Sequence, residues 1–222
     1  MTSATFGDEI KERGFVFVPE SNVGSKPMDA FSRIGNVSTL EGFAATQSLV
    51  PRNAVDAPPN TYSGNFGKSD FPLHTDLAHW AVPPRFLALR CTKGTPHVLT
   101  RIIDANVLIE AFGYIALRRT LVHPRRPLNG RKQLLRLLNS SSGGASIFRW
   151  DSLFLRSASV ESENVFTRVL EFLKKARPHE IGLVNSGDTL IVDNWRMLHG
   201  RSSAPEGASE RQMERAYLST IY

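Results

Sequence analysis

The stretch FPLHTDLAHW, residues 71–80, holds an imidazole and a carboxylate one residue apart, His74 and Asp76, behind a short apolar run. On a β-strand, residues i and i+2 point to the same face, so side chains at this spacing can reach one ion together. A third ligand must come from a distant part of the chain. DNWRMLHGR, residues 193–201, supplies one in His199.

Two histidines and one carboxylate on one face of a metal, with the remaining positions open, form the arrangement used by non-haem Fe(II) oxygenases. Each ligand must be deprotonated at the atom that meets the metal, which favours binding near neutral pH. A zinc hydrolase could use the same three ligands, but no general base stands out beside them. An isolated His-x-Asp is common by chance, so the weight falls on the joint occurrence of the parts.

The elements that must position these residues alternate between strand and helix. GFVFVPE, residues 14–20, reads as a first strand, and an amphipathic helix follows over about 27–35 with Met28, Phe31 and Ile34 on one side. Residues 36–70 are rich in Asn, Ser, Pro and Gly and predict an irregular loop that leads into His74 and walls any site there. RFLALRC and HVLTRII read as strands joined by TKGTP. A helix is predicted from Asp104, its N-cap, to Leu117, with Val107, Leu108, Ala111, Phe112 and Ile115 on its apolar side. SIFRWDSLFLRSAS predicts a strand pair, or a strand and a loop. Ser162–Lys175 predicts a helix stopped by Pro178. TLIVDN and ERAYLSTIY close the chain as strands. The pattern is mainly β, a sandwich or jelly roll with helices on its outside.

At 222 residues and 41% hydrophobic content, residues 1–222 can form a single domain with one substantial core. Lys and Arg exceed Asp and Glu by 27 − 21 = 6, largely within 118–136. Such a segment can guide an anionic substrate as readily as it can bind nucleic acid, and no nucleic-acid-binding signature accompanies it. The basic residues around Arg125 and Arg131 read as a solvated loop or part of a lid. One cysteine, Cys91, excludes an intramolecular disulfide and fits a reducing compartment. With no signal peptide and no apolar run of membrane-spanning length, the expectation is a cytoplasmic protein off the membrane. Oligomeric state is left open.

GFVFVPE, FPLHTDLAHWAVPPRFLALRC, LTRIID, GDTLIVDNWRMLHGR and ERAYLSTIY together resemble the Fe(II)/2-oxoglutarate-dependent dioxygenases of the taurine dioxygenase (TauD/TfdA) family, including its γ-butyrobetaine hydroxylase-like branch. The resemblance implies a double-stranded β-helix (jelly-roll) core with external α-helices, and His74, Asp76 and His199 as the metal-binding and catalytic triad. It implies Fe(II), with 2-oxoglutarate as a chelating co-substrate and O2. The reaction would couple oxidative decarboxylation of 2-oxoglutarate to hydroxylation, or a related C–H oxidation, of a small anionic or amino-acid-like substrate. Retention of the Asp76 carboxylate favours hydroxylation over halogenation.

By the same resemblance, Arg215 on the last strand binds the distal carboxylate of 2-oxoglutarate, with Arg211 as the competing choice and Thr100 as the hydroxyl donor. Tyr62, Asn65 and Lys68, on the loop entering the site, are the expected substrate contacts, joined by Arg149 if the substrate is anionic. Arg201 could support the site, and His79 and Trp80 could face substrate or the core. Asp193 and Asn194 would shape the turn before His199, with Trp195 in packing. The rival reading is a non-catalytic jelly-roll relative that binds an anionic metabolite, consistent with a chain that runs only 222 − 215 = 7 residues past Arg215.

Overall fold

The computed structural model describes residues 5–222 apart from 128, 129, 131, 142 and 209, and among the described residues short apolar runs build fifteen strands. The strands are β1 (Phe15–Val18), β2 (Gly35–Val37), β3 (Thr46–Leu49), β4 (Phe71–His74), β5 (Phe86–Lys93), β6 (Leu99–Asp104), β7 (Leu121–Pro124) and β8 (Leu135–Arg136). They continue as β9 (Leu138–Ser140), β10 (Ser146–Phe148), β11 (Leu155–Ser157), β12 (His179–Gly182), β13 (Thr189–Asp193), β14 (Met197–Arg201) and β15 (Gln212–Ile221). The helices are α1 (Phe6–Arg13), α2 (Pro27–Ser32), α3 (Tyr62–Phe66), α4 (Asn106–Phe112), α5 (Tyr114–Arg119) and α6 (Val160–Lys175).

Two antiparallel sheets carry the architecture. The larger has the order β1-β13-β5-β15-β2, with β3 also on β15, and the smaller has the order β12-β6-β14-β4. Their side chains meet in one cluster: Leu87, Cys91, Val192, Met213 and Tyr217 from the larger sheet pack with Ile102, Ile181 and Met197 from the smaller. Every residue of β13 is buried, because its outer face is covered as well. There Ile191, Ala88 and Leu218 pack with Ile10 of α1 and Phe31 of α2. Outside the smaller sheet, Leu198 packs with Leu108 of α4, Leu117 of α5 and Val169 of α6 in a third cluster. The expectation of a mainly β chain with external helices therefore holds.

Local chemistry sets the helix ends. Ser159 Oγ accepts from Ser162 N at 3.1 Å to cap α6, and acidic Glu161 and Glu163 in the first turn, with Lys174 and Lys175 in the last, complement its dipole. The single helix predicted over 104–117 is two, because Gly113 adopts φ 83° between α4 and α5. Ile115, assigned to its apolar side, is consequently exposed. The two strands within 146–159 do not pair with each other: β10 pairs with β9 and β11 with β7. Among the described residues, no helix is long and apolar enough to cross a membrane.

Candidate metal centre

β4 ends on His74, and β14 runs antiparallel beside it with His199 directly opposite His74. Asp76 lies beyond the strand end, so its position depends on a loop. Asn194, fully buried, holds that loop: its Oδ1 accepts from Asp76 N at 2.7 Å, and its Nδ2 donates to the Asp76 carbonyl at 3.0 Å and to the Pro84 carbonyl at 2.9 Å. Thr75 points the other way and exchanges hydrogen bonds with the Trp150 backbone. Two residues expected only to shape the next turn thus divide: Asp193 accepts from Trp195 N, whereas Asn194 fixes the carboxylate ligand.

The ligand atoms of His74, Asp76 and His199 lie within 4.8 Å of one another, and all three residues are buried. Asp76 Oδ1 is 3.4 Å from Nε2 of each histidine. Its other oxygen, Oδ2, accepts from Tyr217 OH at 2.7 Å and from Arg215 Nη1 at 3.1 Å. One carboxylate oxygen is therefore held by the protein while the other faces the two imidazoles. His74 Nδ1 pairs with the Pro72 carbonyl at 2.9 Å, which leaves Nε2 to face the centre. The donor set and this division of Asp76 fit a divalent iron.

Burial alone would raise the Asp76 pKa, but the Arg215 guanidinium and the two histidines hold it well below the usual carboxylate range. Burial lowers the pKa of His199 despite the carboxylate beside it. These two shifts favour the deprotonated forms that bind metal, whereas the hydrogen bond and charge of Asp76 outweigh burial at His74 and raise its pKa.

A cavity of about 710 Å³ opens onto the triad, within the size range of small-molecule sites. Thr100 lines it from β6, opposite Arg201 on β14. Arg211 and Arg215 line it too, in different states. Arg215 is committed to Asp76 Oδ2 and to Gln47 Oε1, whereas Arg211 is buried and makes no ion pair among the described residues; the Nε of each is without a partner. Tyr62 stacks on the His74 ring at 4.0 Å between centroids, and its buried hydroxyl has no hydrogen-bond partner. Burial, reinforced by the nearby Asp151 carboxylate, pushes the Tyr62 pKa well up.

Three of the residues expected at the substrate lie elsewhere. Asn65 is exposed and bonds to the Pro59 and Thr61 carbonyls, so it closes its own loop. Lys68 is outside the cavity lining, and its carbonyl accepts from Ala204 N. Arg149 is 1% exposed and donates to the carbonyls of Ala78, Trp80 and Ala81 at 2.8, 2.5 and 3.0 Å. It is a clamp on the segment after Asp76, and burial pushes its pKa down to about 10.

Sequence reasoning missed Asp151, a buried carboxylate in the cavity wall whose Oδ1 accepts from Leu153 N and Phe154 N, both at 2.8 Å. Burial raises its pKa. It also missed Tyr217. The signal available for Asp151 was a carboxylate next to an aromatic in RWD, too short to interpret alone. Of the other candidates, His79 lines the cavity and Trp80 does not, while Arg201 donates to the Gly67 and Ser69 carbonyls. Trp195 packs as expected and its Nε1 donates to the Pro83 carbonyl. Arg125 lines the cavity; Arg131 lies outside the described residues.

No family model matches the sequence. The chain is 26% identical over 227 residues to an L-lysine 3-hydroxylase from Catenulispora acidiphila, covering 90% of this chain and 62% of that protein's length. Among solved structures it is similar to an asparagine oxygenase in complex with Fe(II), 3-hydroxyasparagine and succinate, with a TM-score of 0.67 at 16% identity over 92% of this chain and 74% of that one. It is also similar to a taurine dioxygenase from Burkholderia xenovorans, with a TM-score of 0.67 at 18% identity over 92% of this chain and 76% of that one.

Proposed function

We propose that this chain, a relative of the Fe(II)/2-oxoglutarate-dependent oxygenases of the taurine dioxygenase-like family, hydroxylates a small amino-acid-like substrate. The observation that carries the reading is the buried convergence of His74, Asp76 and His199 on the floor of a single cavity. The two facing antiparallel sheets are read as a double-stranded β-helix, and residues 1–222 as one catalytic domain.

His74 Nε2, Asp76 Oδ1 and His199 Nε2 would hold the iron. When bound, the iron supplies the coupled oxidative decarboxylation of 2-oxoglutarate and hydroxylation of a substrate C–H bond by O2. The chain's own residues do the positioning. Tyr217 and Arg215 fix the orientation of Asp76 through Oδ2. Arg211, a buried guanidinium with no carboxylate of its own, is the better partner for the distal carboxylate of 2-oxoglutarate, with Thr100 as hydroxyl donor. This reassigns the role expected of Arg215. Leu87, Leu89 and Met213 give the cavity apolar walls that limit water around the reacting atoms.

Asp151 and the Tyr62 hydroxyl form a further polar feature of the cavity wall. A buried carboxylate with no ion pair to Lys or Arg among the described residues suits a substrate ammonium group, which every amino acid carries. Purified protein supplied with Fe(II), ascorbate and 2-oxoglutarate should release succinate, and release should rise with a cognate amino acid. Undiminished turnover in His74→Ala and Asp76→Ala would overturn the assignment.

A further inference from the structure

We propose that the solvent-reaching side of the cavity is an anion subsite, formed by Arg52, Arg125 and Arg126, that binds the end of the substrate remote from the metal. This rests on the reading of the cavity as a substrate site. Six arginines line it, Arg52, Arg125, Arg126, Arg201, Arg211 and Arg215, against two carboxylates, Asp76 and Asp151. Fe(II) and the 2-oxoglutarate dianion cancel each other. Arg215 is paired with Asp76, and Arg211 is assigned to the co-substrate. Arg201 is tied to backbone carbonyls. The guanidiniums of Arg52, Arg125 and Arg126 make no hydrogen bond or ion pair to protein among the described residues, and all three residues reach solvent, so most of the uncompensated charge lies on the accessible side of the cavity.

The wall is also ordered by polarity. Asp151 accepts from Phe154 N, the Phe154 carbonyl accepts from Arg125 N at 2.7 Å, and the Arg125 guanidinium lies 5.6 Å from the centroid of the Phe154 ring. Phe154 therefore joins the two charges, its backbone N–H on the Asp151 carboxylate and its carbonyl and ring on Arg125. A ligand with an ammonium at one end and an anion at the other matches that wall, ammonium inward. Guanidinium pairs well with either carboxylate or phosphate, so the shared chemistry is a terminal oxyanion.

The test titrates the Fe(II)- and 2-oxoglutarate-loaded protein, without O2, with inorganic phosphate by calorimetry; saturating 2-oxoglutarate occupies Arg211. The Arg125→Gln/Arg126→Gln double variant should bind phosphate about tenfold more weakly than wild type. Equal binding, or none in either protein, would overturn the proposal. Succinate release with L-lysine and with 4-aminobutyl phosphate then separates a carboxylate from a phosphate terminus: whichever stimulates wild type should show a raised KM in the double variant. An unchanged KM would contradict the subsite. Failure of the proposed function shows separately, as absence of 2-oxoglutarate binding in the loading step.

Discussion

Replacing Arg149 by methionine separates a structural clamp from a substrate contact. The side chain keeps much of its volume but loses three bonds to the carbonyls of Ala78, Trp80 and Ala81. Ala78 is fully buried, so its carbonyl is left without a donor at a cost of about 1–3 kcal/mol. Trp80 and Ala81 are more accessible, and their carbonyls can turn to water for about 0.5–1.5 kcal/mol each. Removing a buried charge that has no carboxylate partner returns part of this. The net loss is about 2–4 kcal/mol, a large share of the roughly 5–15 kcal/mol typical of a folded domain. Urea denaturation should show a midpoint lowered by roughly 1–2 M with an unchanged slope of about 2 kcal/mol/M. A stability loss under about 0.5 kcal/mol, with the defect confined to substrate KM, would refute the clamp and restore Arg149 to the substrate.

Four further substitutions probe the centre. Tyr217→Phe removes one of two donors to Asp76 Oδ2 and should weaken Fe(II) binding about 10–100-fold with the fold retained by circular dichroism; unchanged affinity would dismiss its positioning role. Arg211→Gln should raise KM for 2-oxoglutarate about 10–100-fold, from loss of a charge-assisted contact of about 1.5–3 kcal/mol, and a larger effect on that KM from Arg215→Gln would return the clamp to Arg215. At Gly200, a Cβ would come within 2.6 Å of the Phe71 carbonyl oxygen, so Gly200→Ala should push β4 from β14, cost about 1–3 kcal/mol and weaken metal binding. Wild-type melting behaviour would show that the two strands can part without cost.

Strands β1, β5, β6, β13 and β15 were legible from their short apolar runs, and the family resemblance read from HTD and DNWRMLHGR is borne out by the relatives. The broken helix at Gly113 was not, because its apolar periodicity continues across a glycine whose positive φ only the fold reveals. The triad spacing exposed its ligands, but not how they are held. Asn194, 118 residues from Asp76, acts through a backbone contact that no local pattern encodes. The same holds for Arg149, offered as a contact for an anionic substrate, whose burial and three backbone carbonyl partners show a structural role. Arg211 and Arg215 differ by four positions on or beside one strand, and only the location of Asp76 separates their roles.

Binding of iron by His74, Asp76 and His199, in a form that accepts 2-oxoglutarate, is directly measurable. Anaerobic titration with Fe(II) and 2-oxoglutarate should produce a visible metal-to-ligand charge-transfer band in wild type, absent in Asp76→Ala and His199→Ala. No band in folded wild-type protein, or an undiminished band in both variants, would contradict it.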